Sequence, residues 1–220
     1  MRSLTKGACP PVLAANSVVW TNEILDALAA GKKPTDTQKA RYNHPDIKAV
    51  IKNETHDKCA YCESKITHVD HGDIEHIVPK SKVPARAFDW LNLTLACRIC
   101  NQNKGDFHSD GDDHSGLVDP YLDVPEDHFL FHRELVTPRQ DSAKGLLTEE
   151  QLGLSRGPLL ERRKERMDFI DGLIRGYCDA PAHVKPILLK NLHKRCCTDR
   201  SEYSATATTY IKDVFAKLGL

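Results

Sequence analysis

Four of the eight cysteines fall into two Cys-x-x-Cys pairs, Cys59/Cys62 and Cys97/Cys100, with 34 residues between them. Four thiolates at this spacing suit a tetrahedral zinc ion bonded at about 2.3 Å to each sulfur. A site closed by four sulfurs keeps no open position, so such a zinc folds the segment and leaves the chemistry to whatever it holds in place. Cys9, Cys178, Cys196 and Cys197 show no ligand spacing and read as reduced thiols or core residues.

Between the pairs stands Gly72-Asp73-Ile74-Glu75-His76-Ile77-Val78-Pro79-Lys80-Ser81, and Asn101-Gln102-Asn103-Lys104-Gly105 follows the second pair directly. These residue types suit attack on a phosphodiester, whose negative charge repels nucleophiles and whose leaving alkoxide is poor. His76 is a candidate base for water. The carboxylate of Glu75 and the carbonyl oxygen of Asn101 are hard ligands for Mg²⁺ or Mn²⁺, too few to hold the ion alone but adequate once water and phosphate oxygens complete the octahedron. Because Asn101 adjoins Cys100, the zinc would fix where that ligand points. Neighbours on a regular strand face opposite ways, so Glu75 and His76 require a twisted or bulged strand end, or act from two sides of a narrow groove.

The order Cys59-x-x-Cys62, Glu75-His76-Ile77-Val78-Pro79, Asn92-Leu93, Cys97-x-x-Cys100-Asn101-x-x-Lys104 resembles the zinc-containing HNH endonucleases with a treble-clef, ββα-metal core. The resemblance implies that Glu75 and Asn101 bind the catalytic metal, that His76 is the general base and that Asn92 holds the loop between the strands. Glu75 stands where that family usually has Asp, and Asn101 where it often has His. The runs Cys59-Ala-Tyr-Cys-Glu63, Ile74 to Ser81, Trp90-Leu-Asn-Leu93 and Cys97 to Gly105 are similar to the PtuB-like HNH subunit of Septu and retron-associated antiphage systems. That subfamily implies an ATPase partner with an ABC-like or SMC-like head, and products with 5′-phosphate and 3′-hydroxyl ends. The motif-bearing match covers about a quarter of the chain.

Around the motif the pattern predicts an α+β chain. Trp20, Ile24 and Leu28 at four-residue spacing predict a helix over 17–30, with Ser17 as N-cap and Gly31 as stop, and a second helix starts at Pro45 with Ile47, Val50 and Ile51 inward. Ile74–Val78 and Leu91–Leu95 read as two short strands followed by a helix. The stretch 107–127, rich in Asp, Gly and Pro, reads as an irregular connection. Helices follow from Pro158 (Leu159, Met167, Ile170, Ile174), at about 181–195 and at about 199–217. The expected organisation is an N-terminal helical lead (1–57), a zinc and ββα-metal core (58–106), an acidic connection (107–150) and a C-terminal helical subdomain (151–220).

Thirty-one basic residues balance 31 acidic ones, so the whole molecule has no net attraction for a polyanion. The distribution is uneven: +3 over 1–58, 0 over 59–106, −8 over 107–150 and +5 over 151–220. A nucleic-acid surface should therefore use the two basic flanks, and a partner should supply part of the substrate affinity. No apolar run has signal-peptide or membrane-span length, which points to a cytoplasmic protein without a membrane partner. DNA is favoured over RNA as substrate, and homo-oligomerisation is left open. His68 and His71 read as surface or capped histidines with a phosphate contact as the alternative, His108 and His114 as part of an acidic, flexible loop with a second metal site as the alternative, Lys80 and Lys104 as either phosphate contacts or solvated lysines, and Arg162-Arg163-Lys164 as a phosphate grip, a partner contact or a solvated face. A zinc module without catalysis, and a stand-alone restriction-type nuclease, are the competing readings.

Overall fold

The computed structural model describes residues 1–66, 71–109 and 116–219. The fold is α+β. The helices α1 (Pro11–Ala29), α2 (Asp36–Ala40) and α3 (Pro45–Thr55) precede a hairpin of β1 (Asp73–His76) and β2 (Leu93–Ala96), which runs straight into α4 (Arg98–Lys104). A short α5 (Pro125–His128) leads into a second hairpin, β3 (Phe129–His132) and β4 (Leu135–Pro138). The chain then continues through α6 (Ala143–Leu152), α7 (Gly157–Asp179), α8 (Lys185–Cys196) and α9 (Ser204–Lys217).

Helix α1 begins at Pro11, earlier than its spacing predicts, because proline presets the dihedral of the first turn and loses no bond there. Ser17 therefore lies inside the helix and caps nothing. Ile24 is buried, whereas Leu28 is exposed and Trp20 packs edge-on against Phe88 (ring centroids 5.4 Å apart). Helix α2 is held by a capping box between Thr35 and Gln38, a signal that the apolar pattern does not contain. Helix α3 starts at Pro45 as expected and buries Ile47 and Ile51 completely, each contributing roughly 1.5–3 kcal/mol.

β1 and β2 pair antiparallel with Glu75 opposite Thr94 and His76 opposite Leu93. Gly72, at φ +67, leads into β1 where a Cβ would meet Leu95 Cδ1 at 3.0 Å, so both conformation and space demand glycine. The stretch 107–150 is not merely an irregular connection. Its second hairpin turns Phe129, Phe131 and Val136 inward to the main core, which also takes in Leu13, Ile47, Ile51, Leu93, Leu95, Leu152 and Leu159. Helices α7, α8 and α9 enclose a smaller core of their own around Met167, Ile170, Ile174, Leu192, Cys196 and Ile211. α9 starts only at Ser204, because Tyr203 before it sits in the left-handed region (φ 53). Among the described residues no helix is long and apolar enough to cross a membrane.

Candidate active site

The four cysteines come from two turns brought together by the hairpin. The first is closed by a bond from Glu63 N to Cys59 O (3.0 Å) with Glu63 at φ 63, and the second is the start of α4, where the Cys97 sulfur accepts from Cys100 N (3.5 Å). The four sulfurs lie within 4.8 Å of one another, and Cys62 and Cys97 are 3.9 Å apart. A zinc tetrahedron with bonds of about 2.3 Å has edges of about 3.8 Å, so the cluster fits that ion.

Two arginines from the C-terminal third flank this cluster. Arg156, at the N-cap of α7, points a guanidinium nitrogen at Cys100 Sγ (3.6 Å). Burial works against its charge, yet the thiolates of Cys100 and Cys62 outweigh that and hold its pKa above the usual range. Arg163, one helical face further along, is 1% exposed and gives one hydrogen bond, to Leu154 O (2.7 Å), while its Nη2 has no partner. Burial lowers its pKa, with the charges of Cys62 and Glu63 opposing.

A groove of about 210 Å³ opens at the end of β1, lined by Glu75, His76, Lys80, Asn101, Tyr42 and their neighbours. The alternation of β1 solves the facing problem. Asp73 and Glu75 share the face toward α4, where Asp73 Oδ2 accepts from Asn101 Nδ2 (2.9 Å) and Glu75 Oε1 pairs with Lys104 Nζ (2.8 Å). His76 turns to the other face, where its Nε2 lies 2.9 Å from Ala87 O and its ring meets Tyr42 edge-on with centroids 4.5 Å apart. Both residues reach the same groove from opposite sides.

A carbonyl only accepts, so Nε2 of His76 carries the hydrogen and Nδ1 is left as the basic nitrogen. Burial, followed by the charge of Lys80, lowers the His76 pKa to about 3, so the ring is neutral near pH 7. Burial raises the Glu75 carboxyl, with Lys104 the first charge opposing it. The Asp73 contact occupies the amide nitrogen of Asn101 and so leaves its carbonyl oxygen as the donor. Glu75 likewise has a second carboxylate oxygen beyond the one that Lys104 holds. The donor set is thus two hard oxygens beside a neutral imidazole, which fits an octahedral Mg²⁺ or Mn²⁺ completed by water and phosphate.

Asn92 is fully buried and lies behind the groove. Its Oδ1 accepts from Val78 N (2.7 Å), and its Nδ2 donates to Val78 O (2.9 Å) and Arg86 O (3.0 Å). It thereby fixes the 77–92 loop that carries the Ala87 carbonyl. Lys104, 1% exposed, also donates to His76 O (2.8 Å) and sits beneath the groove rather than at a phosphate-facing surface. Lys80 does line the groove, with its Nζ on Tyr42 OH (2.7 Å) and over the Tyr42 ring. His71 and His108 are not among the lining residues, and His68 and His114 lie outside the described residues. Sequence reasoning missed Tyr42 and Asp73. Nothing local signals Tyr42, whereas the period of two along β1 places Asp73 beside Glu75.

A ββα unit resting on a four-cysteine cluster, with an acid and a histidine at the strand end, is the HNH arrangement, and residues 59–107 match the family model for HNH endonuclease. The chain therefore carries an HNH endonuclease domain. Two relatives are both Septu protein PtuB. That of Bacillus thuringiensis is 30% identical over 88 residues, covering 40% of this chain and 33% of that protein. That of Bacillus mycoides (strain KBAB4) is 26% identical over 187 residues, covering 66% and 63%. The chain thus spans about a third of one curated relative's length and just under two thirds of the other's, and the PtuB-like HNH assignment fits both matches.

Proposed function

We propose that the protein is a metal-dependent endonuclease that hydrolyses phosphodiester bonds, DNA before RNA, as the cutting subunit of an antiphage complex. One observation carries the reading: a neutral imidazole with its Nε2–H spent on Ala87 O shares a groove with the free oxygens of Glu75 and Asn101. His76 Nδ1 takes the proton from a water in line with the phosphorus, and the lysine at position 80 offers a cation at the groove wall. Mg²⁺ or Mn²⁺ held by Glu75 and Asn101 would supply charge neutralisation at the phosphate and at the leaving oxygen. Asn92 and Lys104 act behind these groups, the first on the loop and the second on Glu75 and the His76 carbonyl. The four cysteines hold structural zinc.

The PtuB resemblance supports an ATPase partner of ABC-like or SMC-like type, which fits a chain without net positive charge. The test compares cleavage of plasmid DNA and of tRNA by wild type and His76→Ala in Mg²⁺ or Mn²⁺, at equal zinc content and with the ATPase co-purified. Loss of cutting in the variant, on the order of 10²-fold or more, is expected for removal of a general base. Equal cutting by both removes His76 as the base, and no cutting by either with the ATPase present moves the reading to a zinc module that only binds.

A further inference from the structure

The basic C-terminal flank meets the end of α3 and the zinc-bearing segment in space. A cleft of about 740 Å³ is lined by His56 at the C-cap of α3, Lys65 just after the first cysteine pair, Arg166 of α7, Lys194 and Arg195 of the last turn of α8, and Arg200 beyond it. It also contains two carboxylates, both engaged. Asp199 pairs with Arg2 (2.5 Å), and Glu202 accepts from the backbone N of Lys65 (2.9 Å). Among the described residues none of the five lining lysines and arginines makes an ion pair.

Lys194 and Arg195 complement the C-terminal end of the α8 dipole, but Lys65, Arg166 and Arg200 have no such local reason to be there. Arg166 and Arg195 both lean on the Phe169 ring, with guanidinium carbons 5.2 and 4.8 Å from its centroid. Arg166 Nη2 donates to Arg195 O (2.6 Å), while its buried Nε has no hydrogen-bond partner. Both guanidiniums thus sit within cation–π reach of one ring, which concentrates positive charge at this wall of the cleft. In a chain whose total charge is zero, five unpaired cations in one cleft mark a place for an anion.

Helix α3 connects this cleft to the candidate active site. Tyr42, two residues before its N-cap His44, lines the groove, and its C-cap His56 lines the cleft. Eleven residues at about 1.5 Å each span about 16 Å, or about five base pairs of duplex at about 3.4 Å per step. We propose that the cleft is a second phosphate-binding site, which grips the duplex backbone about five base pairs from the phosphate at His76; the placement rests on the nuclease reading above. Contacts of this kind fix register and add affinity without reading bases.

The test uses the full zinc-loaded chain and the double variant Lys194→Ala/Arg200→Ala, both positions being exposed and without an ion pair. Fluorescence anisotropy without added divalent metal follows a labelled DNA duplex of about 30 base pairs from about 50 to 200 mM salt, beside a hairpin of about four base pairs. On the long duplex the variant should bind about tenfold more weakly, with a salt slope shallower by about two units. The hairpin, too short to reach from groove to cleft, should bind both proteins alike. An unchanged slope on the long duplex overturns the proposal and leaves an acidic protein surface as the occupant, as does failure of the wild type to bind at the lowest salt. If His76→Ala still cuts, the nuclease reading falls while the slope comparison stands, so the two failures are told apart.

Discussion

Lys104→Met removes a buried charge while keeping the length of the side chain, and its effect follows from two distances. The ammonium lies 2.8 Å from Glu75 Oε1 and 2.8 Å from His76 O, at 1% exposure. Its loss strands a carboxylate that is itself 6% exposed. Breaking a buried pair in this way costs about 3–5 kcal/mol, and the remaining field of Lys80 keeps the value near the lower end, about 3 kcal/mol. Burial already holds the Glu75 carboxyl above its ordinary range, and Lys104 is the first group opposing that. A carboxyl raised on folding holds its proton more tightly in the folded state, so the unfolded chain gives it up first as pH rises. The variant's deficit must therefore be smallest near pH 4–5 and grow with pH, by at most about 1.4 kcal/mol per unit, until the folded-state value is passed. Urea unfolding of zinc-loaded, magnesium-free protein at about pH 5 and about pH 8 reads this directly. Adding Glu75→Gln should recover most of the loss at the higher pH and none of the cleavage. A deficit below about 1 kcal/mol at both pH values, or no recovery in the double variant, would refute the buried pair as the brace of this site.

Asn92→Ala removes three hydrogen bonds from a fully buried position and should lower stability by about 2–4 kcal/mol in thermal unfolding. It should also abolish cutting, since the loop carrying Ala87 O is freed. Asp73→Ala should cost under about 1 kcal/mol in folding yet weaken Mn²⁺ binding about 10–100-fold by calorimetry, because the Asn101 amide is no longer held one way round. Stripping the zinc with a strong chelator should unfold the 59–104 segment cooperatively, seen as lost ellipticity in step with released metal. Tyr42→Phe keeps the ring edge on His76 and loses only the hydroxyl bond to Lys80, so unfolding should shift by no more than about 1 kcal/mol.

Much of the zinc and ββα segment was legible because its determinants are local. Both cysteine pairs, Glu75, His76 and Asn101 lie within fewer than 50 consecutive residues, and the hairpin that unites them needs only alternating apolar residues and a glycine. What escaped depends on distant packing. Tyr42 reaches the groove from the link before α3, and Trp20 supports the 77–92 loop through Phe88. The role of Lys104 was hidden for another reason: a lysine that braces a buried carboxylate and one that meets a phosphate have the same composition and neighbours, and only burial separates them. The second hairpin was masked by the acidic composition around it, although Phe129 and Phe131 with Val136 carried the alternation of a half-buried pair. The start of α1 was misplaced because Ser17 offers itself as an N-cap, whereas the helix opens at Pro11, the second of two successive prolines.

The arginines of α7 tie two parts of the chain to a common inheritance. Four thiolates around a dication carry a net charge of about −2, and Arg156 and Arg163 beside them bring about +2 into a region largely closed to water. Exchange of one cysteine ligand for histidine, which many zinc sites tolerate, would cut the negative charge by one and leave a buried guanidinium without its counterion. Ligand set and helix must therefore drift together: lineages that replace a cysteine here should also have replaced an arginine about 60 to 100 residues downstream, and each change should be harmful without the other.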